Sequence, residues 1–131
     1  MILTDTHTHL YSEQFTADRA AVIERSIKAG VTRFFIPAID SDYTQSMLNL
    51  EATYPENIFL MMGLHPTHVK ENVEEELTLV KKWLDKRKFY AVGEIGMDLF
   101  WDRTFVKEQQ YAFQTQVQWA KERKMPINIH C

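Results

Sequence analysis

Cysteine is almost missing from this sequence, with Cys131 alone among 131 residues. An intrachain disulfide is thereby excluded, and the usage fits a reducing, cytoplasmic setting. No run approaches the roughly 20 continuous apolar residues of a membrane span. The start of the chain lacks the basic, apolar and small-residue regions of a secretory signal, so no membrane partner is expected. Positive charge is not in excess either, since 15 Lys and Arg face 18 Asp and Glu, for a net charge of −3. Such a balance excludes a protein that coats nucleic acid by bulk attraction. It leaves open a nuclease whose bound cations supply the local positive charge. No glycine-rich phosphate loop follows the first apolar run, and no serine or cysteine triad is recognisable.

What is present is ordinary globular material, 45% hydrophobic and 25% charged, long enough for one domain that buries about two-thirds of its unfolded surface. Met1-Ile2-Leu3 opens a strand. Thr16 is placed to cap a helix whose Ala20, Ile23 and Ile27 form an apolar stripe, with Gly30 closing it. Val31 to Ala38 is β-branched and aromatic and reads as a buried strand. Ser41 is placed to cap a second helix to about Tyr54, stopped by Pro55. Ile58 to Met62 reads as a third strand. Asn72 opens a third helix lined by Leu77, Val80 and Leu84, with Glu74, Glu75 and Glu76 suited to its first turn. A fourth strand begins at Phe89 and runs into Gly93-Glu94-Ile95-Gly96. A long helix follows from about Thr104, with Phe113, Val117 and Ala120 inward, and a fifth strand lies beyond Pro126.

The repeat of about 30 residues is one βα unit, and apolar strands alternating with amphipathic helices imply a parallel sheet. His7, His9, Asp40, His65, Glu94 and His130 all fall at or just beyond strand ends, which in a parallel sheet share one rim. Without a phosphate loop at a switch point, the barrel is the better reading. The expected fold is α/β of TIM-barrel type, with about five strands and four helices of an eight-stranded parallel barrel. Residues 1–131 would form the N-terminal part of a single barrel domain. The closing stretch, Pro126-Ile-Asn-Ile-His130-Cys131, reads as a strand cut at its functional end.

Asp5-Thr6-His7-Thr8-His9 carries the first chemistry. In a continued strand Asp5, His7 and His9 share a face, with the two histidine backbones about 6.6 Å apart. Both imidazoles then reach one metal at roughly 2.1 Å, and Asp5 is placed to orient a ring. Alone, such a pair is more often two surface histidines, but Glu94 and His130 at other strand ends complete a set suited to Zn²⁺, Mn²⁺ or Mg²⁺. A single carboxylate such as Glu94 can bridge two cations. His65 reads as a substrate contact or supporting group, and Asp98 as a residue orienting a ligand or contacting substrate. His68 reads as solvated, and Lys81, Lys82, Lys86, Arg87 and Lys88 as a solvated face at a helix end. Trp83, Trp119, Phe105 and Phe113 have helical spacing and read as core, whereas Phe100 and Trp101 are better placed to stack on a base.

DTHTHL at 5–10, GLHP at 63–66, GEIGMD at 93–98 and PINIH at 126–130 resemble, in order and spacing, the TatD family of metal-dependent deoxyribonucleases among the amidohydrolase-like barrels. The resemblance implies a two-metal (β/α)₈ barrel that hydrolyses DNA phosphodiesters. Carried over, His7 and His9 would bind one metal, Glu94 would bridge both, and His130 would bind the second. His65 and Asp98 match motif positions close to the site, where catalytic roles are expected for Glu94, His65 and Asp98. The family's histidine after strand six and aspartate after strand eight have no counterpart among these residues. Two other readings remain open. One is a related hydrolase of a cyclic amide, lactone or phosphotriester; the other is a catalytically incomplete half-barrel that self-associates through its exposed edge strand.

Overall fold

A computed structural model describes all of residues 1–131. Strands β1 (Leu3–Asp5), β2 (Val31–Ile36), β3 (Ile58–Leu60), β4 (Val92–Gly96) and β5 (Ile127–His130) alternate with helices α1 (Arg19–Lys28), α2 (Thr44–Thr53), α3 (Val73–Lys86) and α4 (Val106–Arg123). Every pairing is parallel, β1 on β2, β2 on β3 and β4 on β5. One bridge, Met62 to Val92, joins the two ladders. Strand order therefore follows chain order, as short right-handed βα connections require. Beyond the short β3, the amide of Ala38 donates to the Gly93 carbonyl at 2.9 Å and that of Glu94 returns to the Ala38 carbonyl at 3.3 Å. These bonds draw the ends of β2 and β4 together, so their side chains meet over a common rim.

Several expected boundaries shift. β1 stops at Asp5 instead of continuing through His9. α1 starts at Arg19 and not after Thr16, because the Arg19 guanidinium donates to the carbonyls of Leu10, Tyr11 and Ser12 and the chain turns before it. Ser41 caps no helix. Its amide and hydroxyl donate to Glu76, while the Asp40 carboxylate accepts from the Asp42 amide and starts a short 3-10 turn ahead of α2. β4 begins at Val92, later than Phe89. The buried stripe of α4 is Gln109, Ala112, Gln116 and Ala120, with Phe113 and Val117 only partly buried. Trp83, Trp119 and Phe105 likewise pack against the core from its margin. No helix is long and apolar enough to cross a membrane.

All five residues of β4 are buried, so this strand is the centre of the structure. Its Val92 and Ile95 are fully enclosed, as are Ile23, Ile36, Leu60 and Leu64 elsewhere in the core. Burying each such side chain stabilises the fold by roughly 1.5–3 kcal/mol. Close approach of the strands depends on glycine. A Cβ on Gly93 would lie 2.5 Å from that of Asn128 on β5, and one on Gly63 would press on the Gly93 backbone at 3.0 Å.

Two buried glutamines of α4 answer backbone groups that strand pairing leaves over. Gln116 accepts from the Leu64 amide at 2.7 Å and donates to the Leu64 carbonyl at 3.3 Å. Gln109 does the same for Asp98, at 2.8 and 3.0 Å. Each clamp fixes the chain at or beside a rim residue. Lys81, Lys82, Lys86 and Lys88 form the expected solvated face, and only Arg87, just past α3, is drawn in by two 2.7 Å bonds to Glu51.

Candidate metal centre

The turn after β1 is shaped by Asp5, whose carboxylate accepts from the His7 amide at 3.0 Å and so orients backbone, not a ring. His7 and His9 nevertheless converge, with ring centroids 5.2 Å apart. Their Nε2 atoms each lie 3.1 Å from Oε2 of Glu94. The other carboxylate oxygen, Oε1, lies 2.8 Å from Nδ1 of His130 and 3.4 Å from Nε2 of His65. One acid on the central strand thus faces two histidine pairs, one per oxygen. Two groups could hold a metal ion, His7 with His9 and Glu94, and His65 with Glu94 and His130. Glu94 is only 4% exposed. Burial pushes its carboxyl up, but the His65, His9 and His130 rings facing it outweigh that and hold it far below the usual carboxylate range.

Hydrogen bonding sets what each ring can offer. The Tyr11 hydroxyl donates its one proton to the buried Pro37 carbonyl at 2.7 Å. Burial, then the Glu94 charge, push the Tyr11 phenol up, so it keeps that proton. Toward Nδ1 of His9, at 2.9 Å, the same oxygen must accept. The neutral His9 ring therefore presents an Nε2 lone pair to a carboxylate oxygen. Two acceptors facing each other at 3.1 Å require a cation between them or a second ring proton, and imidazole with carboxylate is a donor set that suits a divalent metal.

His130 is held between acids. Its Nε2 meets Asp98 Oδ2 at 2.8 Å while Nδ1 faces Glu94. Burial lowers its pKa, but the bonds to Asp98 and Glu94 prevail and leave it above the ordinary 6.5. The Asp98 carboxyl is held low by His130 and by the Trp101 amide. A carboxylate behind an imidazole is how metal-binding histidines are oriented. His65 differs. Its Nδ1 accepts from the Thr67 amide at 3.2 Å, so the proton of the neutral ring sits on Nε2, which points at Glu94 as a donor.

All six residues singled out from the sequence, His7, His9, His65, Glu94, Asp98 and His130, meet in this cluster. His68, expected in solvent, is half-buried with Nδ1 2.6 Å from Asp40 Oδ2. Tyr11, Thr67, Gln109 and Gln116 escaped the sequence reading. The glutamines left a signal, two polar residues seven apart on the apolar stripe of α4, whereas nothing local marks Tyr11. A cavity of about 590 Å³ between α1 and α2 holds none of these histidines. The cluster lies instead on the open rim.

A family model described as TatD related DNase matches residues 4–131. An uncharacterized metal-dependent hydrolase of Bacillus subtilis, YabD, is 33% identical over 98% of this chain and 50% of its own. The 3'-5' ssDNA/RNA exonuclease TatD of Pantoea ananatis is 31% identical over 97% of this chain and 49% of its own. The crystal structure of YjjV, a TatD homologue of Escherichia coli, superposes with a TM-score of 0.87 at 32% identity, covering 98% of this chain and 50% of that one. The chain spans about half the length of the curated relatives it matches. Its five strands and four helices correspond to part of a TIM barrel.

Proposed function

We propose, on the premise that this chain belongs to the TatD-related DNase family, that it carries half the rim of a two-metal phosphodiesterase acting on single-stranded nucleic acid. The observation that supports this reading is the division of Glu94, with Oε2 toward His7 and His9 and Oε1 toward His130 and His65. His7 and His9 would hold one cation, His130 the second, and Glu94 both. Bound there, the cations would supply hydroxide near neutral pH and offset charge on the phosphate. Asp98 keeps the Nε2 proton of His130, leaving Nδ1 for the site. His65, with its proton on Nε2, donates a hydrogen bond into the same space, where a phosphate oxygen gains most from one. The names of relatives such as the Pantoea exonuclease support DNA or RNA as substrate and cleavage from a 3′ end. The exposed free thiol of Cys131 supports a cytoplasmic setting.

The test is nucleotide release from single-stranded DNA after chelation and reloading with Mn²⁺, Mg²⁺ or Zn²⁺. Glu94→Gln keeps the shape of the side chain and removes its charge. Turnover should vanish while the circular dichroism spectrum is retained. Undiminished turnover in that variant would overturn the assignment.

A further inference from the structure

Phe100 and Trp101 are 82% and 77% exposed, the largest uncovered aromatic surface on the rim. Their rings stand 4.9 Å apart and nearly perpendicular, so each keeps a face free. Such exposure of two adjacent large rings is costly in water unless something covers them.

Their placement is tied to the cluster by one side chain. Asp98 Oδ2 bonds His130, while its Oδ1 accepts from the amides of Phe100 and Trp101 at 2.9 and 3.2 Å. Trp101 also lines a crevice with Pro66 and Thr67, in the loop that carries His65. The backbone that carries the rings is therefore fixed by the same carboxylate that bonds His130, and Trp101 borders the loop of His65. Charge does not explain the loop. Asp98 and Asp102 flank the rings, and the Arg103 guanidinium bonds the Leu99 carbonyl.

We infer that Phe100 and Trp101 form a stacking platform for an unpaired nucleobase next to the scissile phosphodiester, an inference that rests on the phosphodiesterase reading above. Every base has an aromatic face, so the contact grips single strands with little sequence preference. A paired base has both faces occupied by its neighbours, and the platform favours single strands for that reason. It also supplies affinity that a chain of net charge −3 lacks in basic groups.

The test uses the full chain with Mn²⁺ and a fluorescent, phosphorothioate-linked oligothymidylate, followed by anisotropy. A second probe of equal length carries tetrahydrofuran in place of every base. Trp101→Ala should weaken oligothymidylate binding roughly 5- to 150-fold, with Phe100→Ala in the same direction. The baseless probe should bind the unsubstituted protein at least as weakly as oligothymidylate binds Trp101→Ala, and should lose nothing more in that variant. Oligothymidylate binding unchanged in both variants overturns the platform, as does equal or undetectable binding of the two probes by the unsubstituted protein. A protein-docking role would give that same result. Ordinary phosphodiester versions of both probes separate the two readings. Cleavage without base discrimination removes the platform alone, and cleavage of neither probe removes the phosphodiesterase.

Discussion

Nε2 of His9 and Oε2 of Glu94 face each other at 3.1 Å as two acceptors, because Tyr11 spends its only proton on Pro37 and so fixes the His9 proton on Nδ1. His9 and its near neighbour Tyr11 thereby make, with the distant Glu94, a position that a cation or a second ring proton relieves. Tyr11→Phe removes the acceptor behind His9 and frees its tautomer. Metal affinity, measured by titration calorimetry, should fall about 10- to 100-fold. Stability should fall by about 1–3 kcal/mol, because the Pro37 carbonyl loses its partner. Unaltered metal affinity would separate Tyr11 from the site.

Metal and protons should compete at His130. Its pKa is raised above 6.5 by Asp98 and Glu94 despite burial. In chelator-treated protein the stability it contributes is full below pH 6.5 and is lost as pH rises through the raised value. Glu94, held below its ordinary 4.5, behaves oppositely. Its contribution is present above that pH and is lost as pH falls through the lowered value. Metal loading needs both groups deprotonated, so affinity should climb with pH through the His130 range, with release of protons. Calorimetry in buffers of different ionisation enthalpy counts those protons, and a pH-independent affinity would contradict the assignment.

Gln116 is fully buried, with its carboxamide spent on Leu64, the residue before His65. Gln116→Leu fits the space and leaves the amide and carbonyl of Leu64 unpaired. Each orphaned group costs about 1–3 kcal/mol. A drop in the denaturant midpoint is expected, together with weaker phosphodiesterase activity as His65 loses its fixed height. A midpoint equal to that of the unsubstituted protein would show the clamp to be replaceable.

Gly93 lies where β4 and β5 come closest. Gly93→Ala places a methyl carbon 2.5 Å from Cβ of Asn128, close to backbone that cannot step aside. Overpacking of this kind costs about 1–3 kcal/mol. Because the shift would carry Glu94 with it, metal affinity should fall alongside thermal stability. A variant with unchanged melting temperature and metal affinity would show that the strands have room to part.

The sequence by itself determined the alternation of strands and helices, since β-branched runs such as Val31–Ile36 and amphipathic stretches such as Val73–Lys86 have different periods. It also placed His7, His9, His65, Glu94, Asp98 and His130 near strand ends, and parallel strands bring those ends to one rim. Only the tertiary structure decided how that rim is wired. Local pattern carries no record of a proton held by Tyr11 for His9, of Glu94 divided between two histidine pairs, or of glutamines on α4 securing Leu64 and Asp98. Nor could it show that His68 bonds Asp40, or that β1 ends before the histidines. Those outcomes follow from which donors and acceptors meet once the backbone is packed. A hydrogen bond is satisfied by proximity in space, and chain neighbours do not reveal it.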